Sequence, residues 1–134
     1  MRACCLLFLV LALCLVSLTA AEKLPAPPGV KNASVEEFAK LRAGTNAVVV
    51  EVRTEKEFKE GHIPGAVNLD VNAPDFAKKV AALDKGKTYL MYCAHGKRGL
   101  KACGIMKDAA FTNVVNLEPG LSAWEKAGKP VEKK

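Results

Sequence analysis

Short apolar runs alternate along this chain with stretches whose apolar residues recur every three or four positions. The clearest run is Ala47-Val48-Val49-Val50-Glu51-Val52. It is rich in β-branched residues and shows no polar alternation, as expected of a strand buried on both faces of a parallel sheet. Ala66 to Leu69, Thr88 to Tyr92 and Asn113 to Leu117 read as further strands. Between them lie helical patterns. Ser34 with Glu36 and Glu37 forms a helix start, Val35, Phe38 and Leu41 share one face, and Gly44 ends the segment. Thr54 to Lys59 predicts a polar helical turn with Phe58 inward, Ala73 to Leu83 a helix on Phe76, Val80 and Leu83, and Gly99 to Ala109 another. Gly120 to Ala127, with Leu121 and Trp124 as core residues, closes the series. Gly61-His62-Ile63-Pro64-Gly65 is turn chemistry, in which His62 is expected as a structural hydrogen-bonding residue. Strands alternating with helices predict an α/β fold with a mainly parallel sheet. Ligands of such sheets bind beyond the carboxyl ends of strands.

The pattern breaks at the N-terminus. Arg2 precedes an apolar run from Ala3 to Val16, followed by Ser17, Thr19 and Ala20-Ala21. This is the layout of a signal peptide over residues 1–21, with Thr19 and Ala21 suited to the −3 and −1 positions of a cleavage site. Export to a periplasm or the exterior is the expectation, with no stable membrane association after cleavage. The run is short beside the ~20 residues of a membrane span, although an uncleaved anchor stays open. So does lipidation at Cys14, which Leu13 fits poorly. Residues 22–31, with Pro25, Pro27, Pro28 and Gly29, predict an extended linker. Residues 32–131 form the expected domain and residues 132–134 a solvated polar tail. About 113 residues remain after cleavage, enough for one domain core.

Charge and cysteines narrow the chemistry. The formal net charge is +6, one less without Arg2, which favours small anionic partners. No basic stretch is interleaved with aromatics, so nucleic-acid binding is not expected. Cys4, Cys5 and Cys14 fall in the leader, and the mature chain keeps Cys93 and Cys103. Cys103 lies at an apolar helical position, which predicts a buried, inert thiol, while a role as resolving thiol stays open. His62 and His95 lie apart and the cysteines lack ligand spacing, so neither metal nor cofactor is expected. Asn32-Ala33-Ser34 is a glycosylation acceptor in a eukaryotic secretory pathway.

The candidate chemistry sits at Cys93. The run Tyr92-Cys93-Ala94-His95-Gly96-Lys97-Arg98-Gly99 places a thiol at the end of an apolar strand, in a glycine-containing loop that opens a helix. A lone cysteine in that place is ordinarily a small buried hydrophobe. Unpaired N–H groups at a helix start and a concave loop would instead stabilise an anion. A cysteine there is expected as a thiolate, the nucleophilic form. Lys97 suits steering of an anion. His95 is expected as an exposed loop residue, with tuning of the thiolate as the alternative.

Three segments resemble the rhodanese-like single-domain sulfurtransferases. They are Val49 to Phe58 with Gly61 to Asn68, the loop from Tyr92 to Arg98, and Leu117 to Trp124 with Gly128 to Val131. The resemblance implies a single rhodanese-like domain with a five-stranded, mainly parallel sheet in the order 1-5-4-2-3, flanked by helices. It also implies a thiosulfate sulfurtransferase. Cys93 would take sulfur from an anionic donor such as thiosulfate, carry it as a persulfide and hand it to a thiol or cyanide. Cys93 and Arg98 would be catalytic, and Ala94, His95, Gly96, Lys97 and Gly99 the substrate-binding loop. Arg98 is expected as a cation beside the anion, with bracing of the loop against a carboxylate as the alternative. Four residues separate Cys93 from Arg98. Related phosphatases and arsenate reductases have one more, which makes sulfur transfer the preferred implication and those enzymes the alternative. A sulfur-carrier module without turnover is the third reading, and a monomer is expected. The chain departs from the family pattern at Glu51, Ala94-His95, Gly99, Ala110 and Pro119. Glu51 stands in place of Asp and is expected to pair with Arg53.

Overall fold

The computed structural model describes residues 25–134. The predicted leader and the first residues of the linker lie outside the described residues. The elements in chain order are β1 (Lys31–Ala33), α1 (Val35–Arg42), β2 (Ala47–Glu51), α2 (Glu55–Glu60), β3 (Val67–Asn68), α3 (Phe76–Ala81), β4 (Thr88–Tyr92), α4 (Lys97–Asp108), β5 (Val114–Leu117) and α5 (Gly120–Lys126). All pairings in the five-stranded sheet are parallel, in the order β1-β5-β4-β2-β3. The α/β class and the strand order implied by resemblance are therefore both present.

The uninterrupted apolar runs are explained by two cores, one on each face. Val50, Met91 and Cys93 pack with Phe76, Val80, Cys103 and Met106 on one side. Val49, Leu90 and Tyr92 pack with Phe38, Ile63, Leu121 and Trp124 on the other. Successive strand residues point to opposite faces, so every position of β4 after Thr88 is buried. Phe38 meets Tyr92 and Trp124 edge-on, at ring separations of 6.4 and 6.0 Å. Such pairs add roughly 0.5–1.5 kcal/mol each beyond area burial.

Four details differ from the sequence-based expectation. β1 begins at Lys31, inside the expected linker, with Val30 already buried; three residues are too few to show periodicity. α3 starts at Phe76 rather than Ala73, because Pro74 keeps its predecessor out of the helical region. α4 starts at Lys97, two residues before Gly99, because the Cys93 sulfur caps it. The C-terminal tail is exposed, as expected, but it is docked rather than loose. The backbones of Glu132 and His62 exchange two hydrogen bonds of 2.9 Å, and His62 Nε2 lies 3.1 Å from Glu132 Oε1. His62 also stacks on Phe58, so the turn histidine is structural as expected.

Candidate active site

β4 delivers Cys93 to the carboxyl edge of the sheet, and the start of α5 holds the residues after it. Leu121 N–H donates to the Cys93 carbonyl at 2.8 Å and Ser122 N–H to that of Ala94 at 3.2 Å. This approach requires Gly120: a Cβ there would lie 2.3 Å from the Ala94 oxygen. Gly96 turns the loop with φ +94°, and a Cβ on it would lie 1.8 Å from the Glu118 carbonyl oxygen. Both contacts are far inside van der Waals distance, so glycine is required at each position.

The turn at Gly96 brings two amides onto the sulfur. Gly96 N–H donates to Cys93 Sγ at 3.1 Å and Gly99 N–H at 3.2 Å. Gly96 is the N-cap of α4 and has no side chain with which to cap it. Gly99 is then the third helical residue, whose N–H an N-cap side chain ordinarily accepts. The Cys93 sulfur performs that function from outside the helix, which is why α4 can begin as early as Lys97. A sulfur acting as a helix cap is better satisfied as an anion than as a neutral thiol.

The remaining predicted loop residues are distributed around this sulfur. Cys93, Gly96 and Gly99 are buried, Ala94 and Arg98 half-buried, and His95 and Lys97 exposed. Arg98 reaches away from solvent to Glu57 on α2. Its two terminal nitrogens donate to the two carboxylate oxygens at 2.9 and 3.0 Å. The expected role as a cation beside the anion is thus not the one built: both ends of the guanidinium are committed to Glu57, and the alternative, the brace, is present. The Arg98 guanidinium, above all, holds the Glu57 carboxyl at about 2, well below its ordinary range. Glu57 also closes a capping box, accepting from Thr54 N–H and Thr54 Oγ1 at 3.0 Å each. Sequence reasoning misses Glu57 as a site residue, although Thr54-x-x-Glu57 is the sequence signal of a capping box.

Behind the loop lies a buried polar layer. Arg53 Nε stands 2.6 Å from Glu51 Oε1, an ion pair without hydrogen-bond alignment. Arg53 also donates to the Gly61 carbonyl at 2.6 Å. Tyr92 OH donates to Glu51 Oε2 and accepts from Ile63 N–H at 3.0 Å. Burial, above all, pushes the Tyr92 hydroxyl up, so it stays a donor. The Glu51–Arg53 pair expected from sequence is thus structural. Asn116, which sequence reasoning also misses, sits under the loop. Its Nδ2 donates to Asn32 Oδ1 at 3.0 Å and more weakly to the Gly96 carbonyl at 3.4 Å. A Cβ at residue 99 would lie 2.4 Å from Asn116 Oδ1, so the buried amide occupies the space that alanine or serine would need. The candidate glycosylation residue Asn32 is half-buried and committed to this contact.

The fold agrees with the likeness to known proteins. The family model for the rhodanese-like domain matches residues 34–127. This chain belongs to the rhodanese-like domain family. A Bacillus subtilis protein, YtwF, whose name marks it as a proposed sulfurtransferase, is 35% identical over 91 residues, 68% of this chain and 85% of YtwF. The thiosulfate sulfurtransferase GlpE of Shewanella oneidensis is 29% identical over 97 residues, 72% and 94% of the two chains. The crystal structure of a rhodanese-like domain protein from Staphylococcus aureus superposes with a TM-score of 0.66 at 27% identity, covering 78% of this chain and 98% of that one.

The second cysteine of this rhodanese-like domain is chemically different from the first. Cys103 is free and buried in α4, and burial pushes its thiol up to about 12. Beside the loop, a cleft of about 180 Å³ runs between α2 and α5, lined by Glu57, Glu60, Ala94, Leu121, Ser122 and Glu125. A larger one, about 530 Å³, lies along α2 and β3 and includes no residue of the loop. Among the described residues, no helix is long and apolar enough to cross a membrane.

Proposed function

We propose that this protein moves a sulfane sulfur from a small anionic donor such as thiosulfate to a thiol or cyanide, through a persulfide on Cys93. The observation that carries the reading is the pair of loop N–H groups aimed at the Cys93 sulfur at 3.1 and 3.2 Å. In the first half-reaction the Cys93 thiolate attacks the outer sulfur of thiosulfate. A bond from Cys93 Sγ to that sulfur forms, the sulfur–sulfur bond of the donor breaks, and sulfite leaves with its electron pair. The charge then rests on the outer sulfur, within reach of the remaining loop amides. In the second half-reaction the acceptor removes that sulfur and Cys93 is regenerated. Arg98 keeps the loop in place through Glu57, and exposed Lys97 draws in the anion. The leader-like residues 1–21 support export, and the domain acts as a monomer.

The test is intact mass. Incubation with thiosulfate should add one sulfur atom, cyanide should remove it with release of thiocyanate, and Cys93→Ser should acquire none. No added sulfur, together with turnover of an aryl phosphate, would overturn the assignment. Amino-terminal sequencing of the exported fraction tests cleavage after Ala21.

A further inference from the structure

We infer that His95 is the proton acceptor for the thiol that receives the sulfur, and that Ser122 is the positioning residue that aims it. The inference rests on the proposed sulfur transfer and assigns a role within its second half-reaction.

His95 is exposed, two residues beyond Cys93, at the top of the same loop. Its Nδ1 lies 3.2 Å from Ser122 Oγ. In the tautomer in which Nδ1–H donates to that oxygen, Nε2 keeps its lone pair. Nε2 has no hydrogen-bond partner among the described residues. Ser122 is itself fixed, because its N–H donates to the Ala94 carbonyl at 3.2 Å. The loop and the first turn of α5 thus form one unit that holds the imidazole. Ser122, which holds the imidazole, and Ala94, its neighbour in the loop, also line the 180 Å³ cleft, which has room for a small thiol.

The chemistry needs such a group. A thiol is mostly protonated at neutral pH, with an ordinary value of ~8.5, and only the thiolate attacks efficiently. The acceptor sulfur gives its proton to His95 Nε2 and bonds to the outer sulfur of the persulfide. The bond between that sulfur and Cys93 Sγ breaks, and its electron pair returns to Cys93. The proton passes from His95 to the transferred sulfur, and the product leaves as R–S–S–H. No external oxidant or reductant is needed. Sulfite, which returns the sulfur to thiosulfate, attacks as its dianion, brings no proton and does not need the base.

The titratable and charged groups around His95 come from several elements. Cys93, Lys97 and Arg98 belong to its own loop and α4, Glu118 to the β5–α5 connection and Glu125 to α5. Glu57 and Glu60, on α2, line the cleft together with Ala94 and Ser122. The experiment must therefore separate proton transfer from a change in local charge. Persulfide-loaded protein is discharged in single turnovers by dithiothreitol, by trifluoroethanethiol, which is a more acidic thiol, and by sulfite.

The measured quantity is the ratio of the thiol rate to the sulfite rate, which cancels general damage to the loop. In His95→Gln the ratio for dithiothreitol at pH 7 should fall about 10²-fold, the usual yield of a general base. The deficit should shrink as pH rises toward the thiol's own ionisation and should be small for trifluoroethanethiol. Ser122→Ala should lower the same ratio less, by about 3- to 10-fold, with the same pH trend. Equal losses toward thiols and sulfite, or an unchanged ratio, would overturn the role. If the wild-type protein takes no sulfur from thiosulfate, the proposed function fails and this inference falls with it.

Discussion

Cys93 and Cys103 stand ten residues apart in the chain, share one core and are both almost wholly buried, at 1% and 0% exposure. Burial alone therefore does not distinguish the two thiols. The difference lies in what the backbone presents to each sulfur. Cys93 precedes the helix and receives two N–H groups that the helix start leaves over. Cys103 lies inside the helix, where the amides are already paired, and meets chiefly apolar side chains. The same α4 thus offers unpaired amides to one sulfur and apolar packing to the other.

The most severe break of this comparison is removal of the sulfurs. Cys93→Ser should abolish sulfur uptake and turnover, because a hydroxyl forms no persulfide. Cys103→Ala should keep turnover within about two-fold, as expected for a volume change away from the reacting atoms. Thermal melting of both variants checks that the fold survives. Comparable loss of turnover in two folded variants would mean that Cys103 resolves a disulfide, and the contrast would collapse.

A smaller effect is expected from the brace. Arg98→Ala should lower kcat about 10- to 100-fold, by loosening the loop that aims the amides. Lys97→Ala should chiefly raise KM, and salt should blunt that change, because an exposed charge is screened over ~8–10 Å. A more damaging Lys97→Ala would reverse these assignments. The brace is also resistant to acid. The Glu57 value is depressed to about 2, so its stabilising contribution is complete above the ordinary value of 4.5 and is lost as pH falls toward 2. Activity should therefore show no Glu57 titration between about pH 5 and 7. Glu57→Gln should lose activity throughout that window, and a protonation step near pH 6 that vanishes in this variant would contradict the geometry.

Much of this is legible in the chain for identifiable reasons. β2 and β4 are long enough, and apolar on both faces, to read as buried parallel strands. Gly96 and Arg98 mark the loop because only a few residue types suit a left-handed turn and a fixed cation. β1 is invisible residue by residue, since three positions beside a proline-rich stretch show no period. Glu57 and Asn116 are invisible as site residues because their partners, Arg98 and Gly96, lie 41 and 20 positions away. Polar contacts of that range leave no local pattern. The cap that Cys93 gives α4 is also hidden, since a helix start is sought in oxygen-bearing side chains.

Cys103 provides a gentler test through alkaline pH. Its folded value is raised to about 12 from an ordinary 9.0, mainly by burial. A group raised on folding contributes fully below its unfolded value, and the contribution is lost as pH rises through the folded one. The protein should thus lose stability between pH 9 and 12, by up to a few kcal/mol from this thiol, at about 1.4 kcal/mol per unit. Denaturant midpoints for wild type and Cys103→Ala should converge over that window. Parallel curves would show that the thiol ionises in place, and Cys103 would then be less isolated than its packing implies.

The smallest expected effect is at the far end of α4, where the helix that serves both cysteines stops. Ala110 adopts φ +68°, the only left-handed residue other than glycine among those described. Its N–H donates to the Lys107 carbonyl and that of Phe111 to Met106, the paired bonds of a Schellman motif. Glycine is the favoured residue there, because a Cβ costs about 1–2 kcal/mol in the left-handed region. Part of that gain is offset by the freedom glycine adds to the unfolded chain. Ala110→Gly should therefore stabilise the domain by roughly 0.5–1 kcal/mol, a rise of a few degrees in Tm. Sulfur transfer by Cys93 should stay unchanged, since the loop geometry is fixed at the other end of the helix by α2, α5 and Asn116. A change in the rate of persulfide formation in this variant would show that strain at the C-terminus of α4 reaches the sulfur, and that the two ends of the helix are not independent.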